Sequence, residues 1–140
     1  MRLVKAITQS DLFEIVKIRT DIFVNEQKID PLLEFDDEDN SCIHYLLTYE
    51  DKAVGCARII KHDSYWQIGR IAVLKNKRHL HFGSFILEEL EKIAKKENIH
   101  RLKLGAQVQA IPFYEKNGYR ICGDEYLDAD IPHRYMEKLI

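Results

Sequence analysis

Hydrophobic and polar positions divide this chain into short runs with two different periods. Arg2–Ile7 alternates and predicts a first strand. Thr8-Gln9-Ser10-Asp11, with Glu14 three residues after Asp11, is a helix-start signal. Leu12, Ile15, Val16, Arg19, Ile22 and Phe23 then follow helical spacing, and the stripe ends near Val24–Gln27. Ile43–Tyr49 and Ala53–Lys61 read as a hairpin about Glu50-Asp51-Lys52, and Tyr65–Leu74 as a third strand. Phe82, Phe85, Ile86, Leu90 and Ile93 predict a helix over Phe82–Lys96, closed near Asn98. Arg101–Gly105 is a short strand; with a helical crossover before it, it should run parallel to Ile68–Leu74. Pro112 and Gly118 bracket a short helix, and Tyr119–Cys122 and His133–Leu139 predict two closing strands.

Between Glu26 and Ile43 no such period holds. Ile29–Asn40 reads as a loop carrying Glu34, Asp36, Asp37, Glu38 and Asp39. Five carboxylates in six residues are expected to stay in solvent rather than enter a core. They lack the glycine and the terminal Glu of a calcium-binding helix–loop–helix. Some of them, with Glu26, are candidates to line a site for a cationic substrate or to act as a base.

The charge pattern changes the picture most at Gln67–Glu91. Its order is buried strand, basic loop, helix start. From Ser64 to Leu87 there is no Asp or Glu, while Arg70, Lys75, Lys77 and Arg78 are present in a chain of net charge −2. A helix start offers unpaired N–H groups and the positive end of the helix dipole. Gly83 beside it lets an anion approach the backbone. The ligand suggested is phosphorylated, although neither G-x-x-x-x-G-K-[ST] nor G-x-G-x-x-G is present.

Length and composition bound the rest. At 140 residues, 46% hydrophobic and 31% charged, the chain fits one globular domain spanning 1–140. No run is apolar enough to cross a membrane, and Met1-Arg2-Leu3-Val4-Lys5 does not read as a signal peptide. Cys42, Cys56 and Cys122 are odd in number and lack CxxC pairing, so neither disulfide nor metal is expected, and a reducing cytoplasmic location fits. The basic patch is short and the remaining chain acidic, which argues against a nucleic-acid partner.

Two stretches resemble the GNAT (GCN5-related) N-acetyltransferase family. Arg78-His79-Leu80-His81-Phe82-Gly83 is similar to its [RQ]-x-x-G-x-[GA] loop, with His81 where the family has its first glycine. His81 is expected at negative φ, still presenting its N–H. Ala110-Ile111-Pro112-Phe113-Tyr114-Glu115-Lys116-Asn117-Gly118-Tyr119 matches A-x-x-[FL]-Y-x-x-x-G-[FY], and Gln107 stands where the family often has Asn. Arg19–Gln27, Leu104–Gln107 and Ile131-Pro132-His133 further resemble the small bacterial ElaA/YjcF-type subgroup.

The resemblance implies an α/β fold with a mixed, mostly antiparallel central sheet flanked by helices. It implies acetyl transfer from acetyl-CoA, as cosubstrate and without a metal, to a primary amine of a small molecule or peptide, and members often pair as homodimers. A lysine-like amine is free base in only about one molecule in 2,500 at pH 7, so a base is needed. Glu26 leads the candidates, with His44, His133 and the Asp36–Asp39 cluster open. Tyr114 would protonate the leaving thiolate. Ile71, Ala72 and Val73 would run beside the pantetheine arm, and a backbone N–H of their strand would meet the oxyanion. Arg78, His79, His81, Phe82, Gly83 and Ser84 would contact the pyrophosphate. The alternative on the same fold is a non-catalytic acyl-CoA-binding regulatory module.

Overall fold

The computed structural model covers Met1–Ile140. One sheet of seven strands runs through it in the order β1-β2-β3-β4-β5-β7-β6. The strands are β1 Arg2–Lys5, β2 Ile43–Tyr49, β3 Lys52–Lys61, β4 Trp66–Val73, β5 Arg101–Gln107, β6 Arg120–Asp128 and β7 Ile131–Leu139. Only β4 and β5 are parallel, as the helical crossover between them dictates. The fold is therefore the mixed, mostly antiparallel α/β sheet expected from the sequence.

Helices cover the two faces unequally. Helix α3, Phe82–Lys96, buries Phe82, Ile86, Leu87, Leu90 and Ala94 against one face. They meet Ile59, Trp66, Ile68, Leu102, Leu104 and Met136 in the larger core. Helix α1, Gln9–Arg19, packs Ile15 and Ile18 on the other face, over Leu46, Cys56 and Ala72. Its start is fixed by a capping box between Thr8 and Asp11, rather than by Glu14. Leu12 and Val16, expected in the buried stripe, are solvent-exposed. The buried line is Ile15, Ile18, Arg19 and Ile22, because a short amphipathic helix seats only its i, i+3, i+4, i+7 positions.

Three departures shape the site. The first helix continues as a π-helical segment, Thr20–Glu26, in which the Gln27 N–H reaches the Ile22 carbonyl at 2.9 Å. Such wide turns occur often at functional sites. The supposed loop contains a short helix, α2, Pro31–Glu34, and a 3₁₀ turn, Asp37–Asn40. Strand β6 runs on to Asp128, further than Cys122, because an edge strand with little apolar content gives no period-2 signal.

The functional geometry follows from how β4 ends. Between the Cys56–Ala72 and Arg58–Gly69 pairs, β3 has one residue, Ala57, while β4 has two, Arg70 and Ile71, so β4 carries one extra residue. That residue is Arg70, at φ 51°, and it makes a β-bulge. On the other side, β4 and β5 pair only through Trp66–Ile68 and Leu102–Leu104. Beyond Ile68 the strands part, and the β5-facing edge of β4 has no strand partner. No helix is long and apolar enough to cross a membrane.

Candidate functional site

Strand β4 hands the chain to a 3₁₀ turn, Lys75–Lys77, and then to the loop that starts α3. Helix α3 has no side-chain cap at its N-terminus. From His79 to Ser84, no backbone N–H reaches an acceptor within the protein. Six successive free N–H groups at a helix start form an anion nest. His79 and His81 both sit at φ 64°. This corrects the expectation of negative φ at His81: the residue occupies the left-handed conformation that favours glycine. The backbone keeps the curvature of the loop, and the histidine carries the strain.

The side chains of this loop go in different directions. Phe82 is buried in the core and packs at 5.1 Å against Tyr49, so only its backbone faces the nest. Gly83 lies under the Phe113 ring; a Cβ there would come within 2.9 Å of it. That contact ties the loop to helix α4, Ile111–Lys116, which carries Tyr114. On the preceding strand, Ile71 lines a cavity, whereas the Ala72 side chain is buried under α1.

Arg78 and Glu26 meet face to face, with N–O distances of 2.7 and 2.9 Å. Arg78 also donates through Nε to the Val73 carbonyl at 3.0 Å. The Arg78 hydrogen bonds hold the Glu26 carboxyl below its ordinary value. Glu26 therefore does not face the cavity as the expected base. It sits on the loop side, already occupied by a guanidinium that disfavours proton uptake.

A cavity of about 250 Å³ opens where β4 and β5 part. Tyr114 and His133 both line it. His133 Nδ1 lies 2.6 Å from the Ile131 carbonyl, which can only accept. Nδ1 thus carries a proton, which in the uncharged tautomer leaves the Nε2 lone pair free. Burial pushes the Tyr114 hydroxyl up to about 12, so it stays a donor. Across the gap Gln107 donates to Gln27 at 2.8 Å, linking the end of β5 to the end of the π segment. The cavity also brings in Tyr126 and Asp128, which no motif in the sequence marked, because they lie on the unrecognised part of β6.

The acidic cluster is not the solvated loop expected. Glu34 is 2% exposed. It accepts from Arg19 Nε at 2.7 Å and lies 3.1 Å from Arg70 Nε. Asp39 receives Arg19 and Arg58 at 2.8 and 2.9 Å, and Asp36 receives Arg58 at 2.8 Å. Arg70 also donates to the Glu34 and Asp36 oxygens, so the bulge residue of β4 is bolted to α2. Carboxylates enter a core when arginines pair with them. The three arginines sit far apart along the chain, which hid the match. Asp37 and Glu38 alone remain in solvent.

The same network decides His44. Its Nε2 donates to the Asp39 carbonyl at 3.0 Å, and it lies outside the cavity. Asp39, Cys42 and His44 bring one ligand atom each within 4.8 Å of one another. Two guanidiniums already share the Asp39 carboxylate, so the donor set does not fit a metal cation.

Comparison with known proteins places this geometry. The model of the acetyltransferase (GNAT) family matches residues 12–119. The chain is 37% identical to the uncharacterized N-acetyltransferase YjcF of Bacillus subtilis, over 99% of each chain. The solved structure of Escherichia coli ElaA superposes with TM-score 0.84 at 27% identity, covering 99% of each chain. A GNAT family acetyltransferase from Elizabethkingia anophelis, solved with acetyl-CoA bound, shares the fold at TM-score 0.77 and 18% identity, over 99% of this chain and 97% of that one.

Proposed function

This chain belongs to the GNAT acetyltransferase family, and on that premise we propose that it transfers an acetyl group from acetyl-CoA to a primary amine. The observation that carries this reading is the run of six unpartnered N–H groups, His79–Ser84, beside the unpaired edge of β4. A diphosphate would satisfy the former, and an extended pantetheine amide chain the latter. Lys75, Lys77 and Arg78 add positive charge at the same end. The single sheet through residues 2–139 supports one acetyltransferase domain.

The steps use groups that already face the cavity. Arg78, His79, His81, Phe82, Gly83 and Ser84 hold the diphosphate, mostly by backbone. Ile71, Ala72 and Val73 run beside the pantetheine arm. His133 Nε2 takes a proton from the acceptor ammonium, and the free amine attacks the thioester carbonyl carbon. The oxyanion meets a free N–H on the open edge of β4. The intermediate collapses with C–S cleavage, and Tyr114 gives its proton to the departing sulfur. The acylated nitrogen gives up its second proton, which through solvent restores Tyr114, and His133 releases its own proton to bulk water. The products are an acetamide and CoA thiol.

Glu26 becomes a positioning residue in this scheme, and His133 takes the role of base. No feature of the site favours the non-catalytic module, since His81 keeps the glycine-like turn. The test is steady-state acetyl transfer with His133→Gln and Tyr114→Phe. Each is expected to lower kcat/KM for the amine by about a hundredfold. Acetyl-CoA affinity should stay within about twofold. Unchanged turnover in both variants would contradict the assignment.

A further inference from the structure

Charge around the cavity is almost entirely cancelled within the protein. Arg58, Arg70 and Glu34 line it, and each is paired inside the Arg19–Glu34–Asp36–Asp39 network. Three arginines meet three carboxylates there. Asp128 is the lining carboxylate outside that balance, and no cation of the chain pairs with it.

The β6–β7 hairpin places Asp128 with respect to the proposed base. Tyr126 lies directly opposite His133, and their rings are 5.6 Å apart. Asp128 lies opposite Ile131, two residue pairs nearer the turn. Side chains two apart on a strand share a face, about 7 Å along it. Tyr126, His133 and Asp128 thus line one wall in sequence, and the Asp128 charge is felt at the Tyr126 hydroxyl. The Tyr126 ring rests on Gly105, where any Cβ would collide with it. The Tyr126 ring is itself stacked on His133 and on Tyr135, so the wall offers a carboxylate and an imidazole on either side of packed rings. A second ammonium group would meet the carboxylate, with its partner amine at the imidazole.

We propose that the acceptor is a diamine, or a molecule presenting two amino groups about 7 Å apart, whose non-reacting ammonium is held by Asp128. The proposal rests on the acetyl-transfer reading above and names the substrate class of that same site. Asp128 acts as a specificity residue; it takes no part in proton transfer.

The experiment compares the linear five-carbon α,ω-diamine with pentylamine, which has the same chain and one amino group fewer. Protein saturated with CoA is titrated with each in a calorimeter, and acetylated product is measured in parallel with acetyl-CoA. Wild type is expected to bind the diamine at least about threefold tighter, the scale of one partly exposed ion pair. Asp128→Asn should erase that preference while leaving pentylamine binding and kcat unchanged. Equal binding of the two amines by wild type, or a preference that survives Asp128→Asn, overturns the subsite. A preference for the diamine with no acetylated product supports the subsite and overturns the acetyl-transfer reading instead.

Discussion

Glu26 and Arg78, 52 residues apart, form a two-pronged ion pair that joins the end of the π segment to the anion loop. The residue after Glu26 is Gln27, which bonds Gln107 across the cavity. Loop and cavity are therefore braced by adjacent residues of one turn. Glu26→Gln should loosen the loop and raise the KM for acetyl-CoA about three- to tenfold, the worth of one half-exposed charged hydrogen bond. The kcat for the amine should barely change. A general base would behave differently, with kcat falling a hundredfold or more.

His81 is the residue at which the loop departs from its family, and it bears the turn's strain. A non-glycine residue at φ 64° costs on the order of 1 kcal/mol. His81→Gly should therefore leave stability unchanged or raise it by up to about 1 kcal/mol, seen as a higher urea midpoint. Acetyl-CoA affinity should persist, because the contact is a backbone N–H. His81→Val, with a branched Cβ in the left-handed region, should lose both stability and affinity. Loss of affinity in His81→Gly would mean that the imidazole itself binds the ligand.

Much of this was legible in the sequence, and the reasons are specific. Helix α3 begins and ends where its apolar spacing placed it, at Phe82 and Lys96. The β2–β3 hairpin and the parallel β4–β5 pair were also visible, since both follow from local period and connection length. Glu34 was not. Its burial depends on Arg19 and Arg70, brought to it by two different elements, and nothing near Glu34 announces them. The cavity side of β6 was missed for a related reason. Tyr126 and Asp128 lie in a stretch rich in Asp and Glu, which a strand tolerates only because it is the edge of the sheet. His133 was visible as a candidate, but its tautomer needs the Ile131 carbonyl at 2.6 Å.

Tyr114 sets the alkaline behaviour. Burial raises its hydroxyl to about 12, so it remains a proton donor well above the ordinary tyrosine value of about 10. The kcat profile should accordingly show no fall attributable to Tyr114 below about pH 11. A falling limb near pH 10 that vanishes in Tyr114→Phe would show that the hydroxyl is exposed and unshifted.

Acid should release the cavity's outer wall. Burial works to raise the Asp36 and Asp39 carboxyls, but hydrogen bonds from Arg58 and Arg19 outweigh it and hold both below their ordinary values. The unfolded chain takes up protons first, near pH 4, so the stabilisation is complete above that value. It is lost as pH falls through the lower folded values. Amide protection factors across Pro31–Asn40 should be unchanged between pH 7 and 5 and fall only below about 4. Opening already at pH 6 would place control on another group.

The most direct measurement is a calorimetric titration with acetyl-CoA and, separately, with acetyl-pantetheine, which carries the same thioester but no diphosphate. If the His79–Ser84 nest holds the diphosphate, acetyl-CoA should bind at least about a hundredfold tighter, since several charge-assisted hydrogen bonds are at stake. Equal affinity for the two, or no binding of either at millimolar concentration, would contradict the assignment of the loop and with it the proposed reaction.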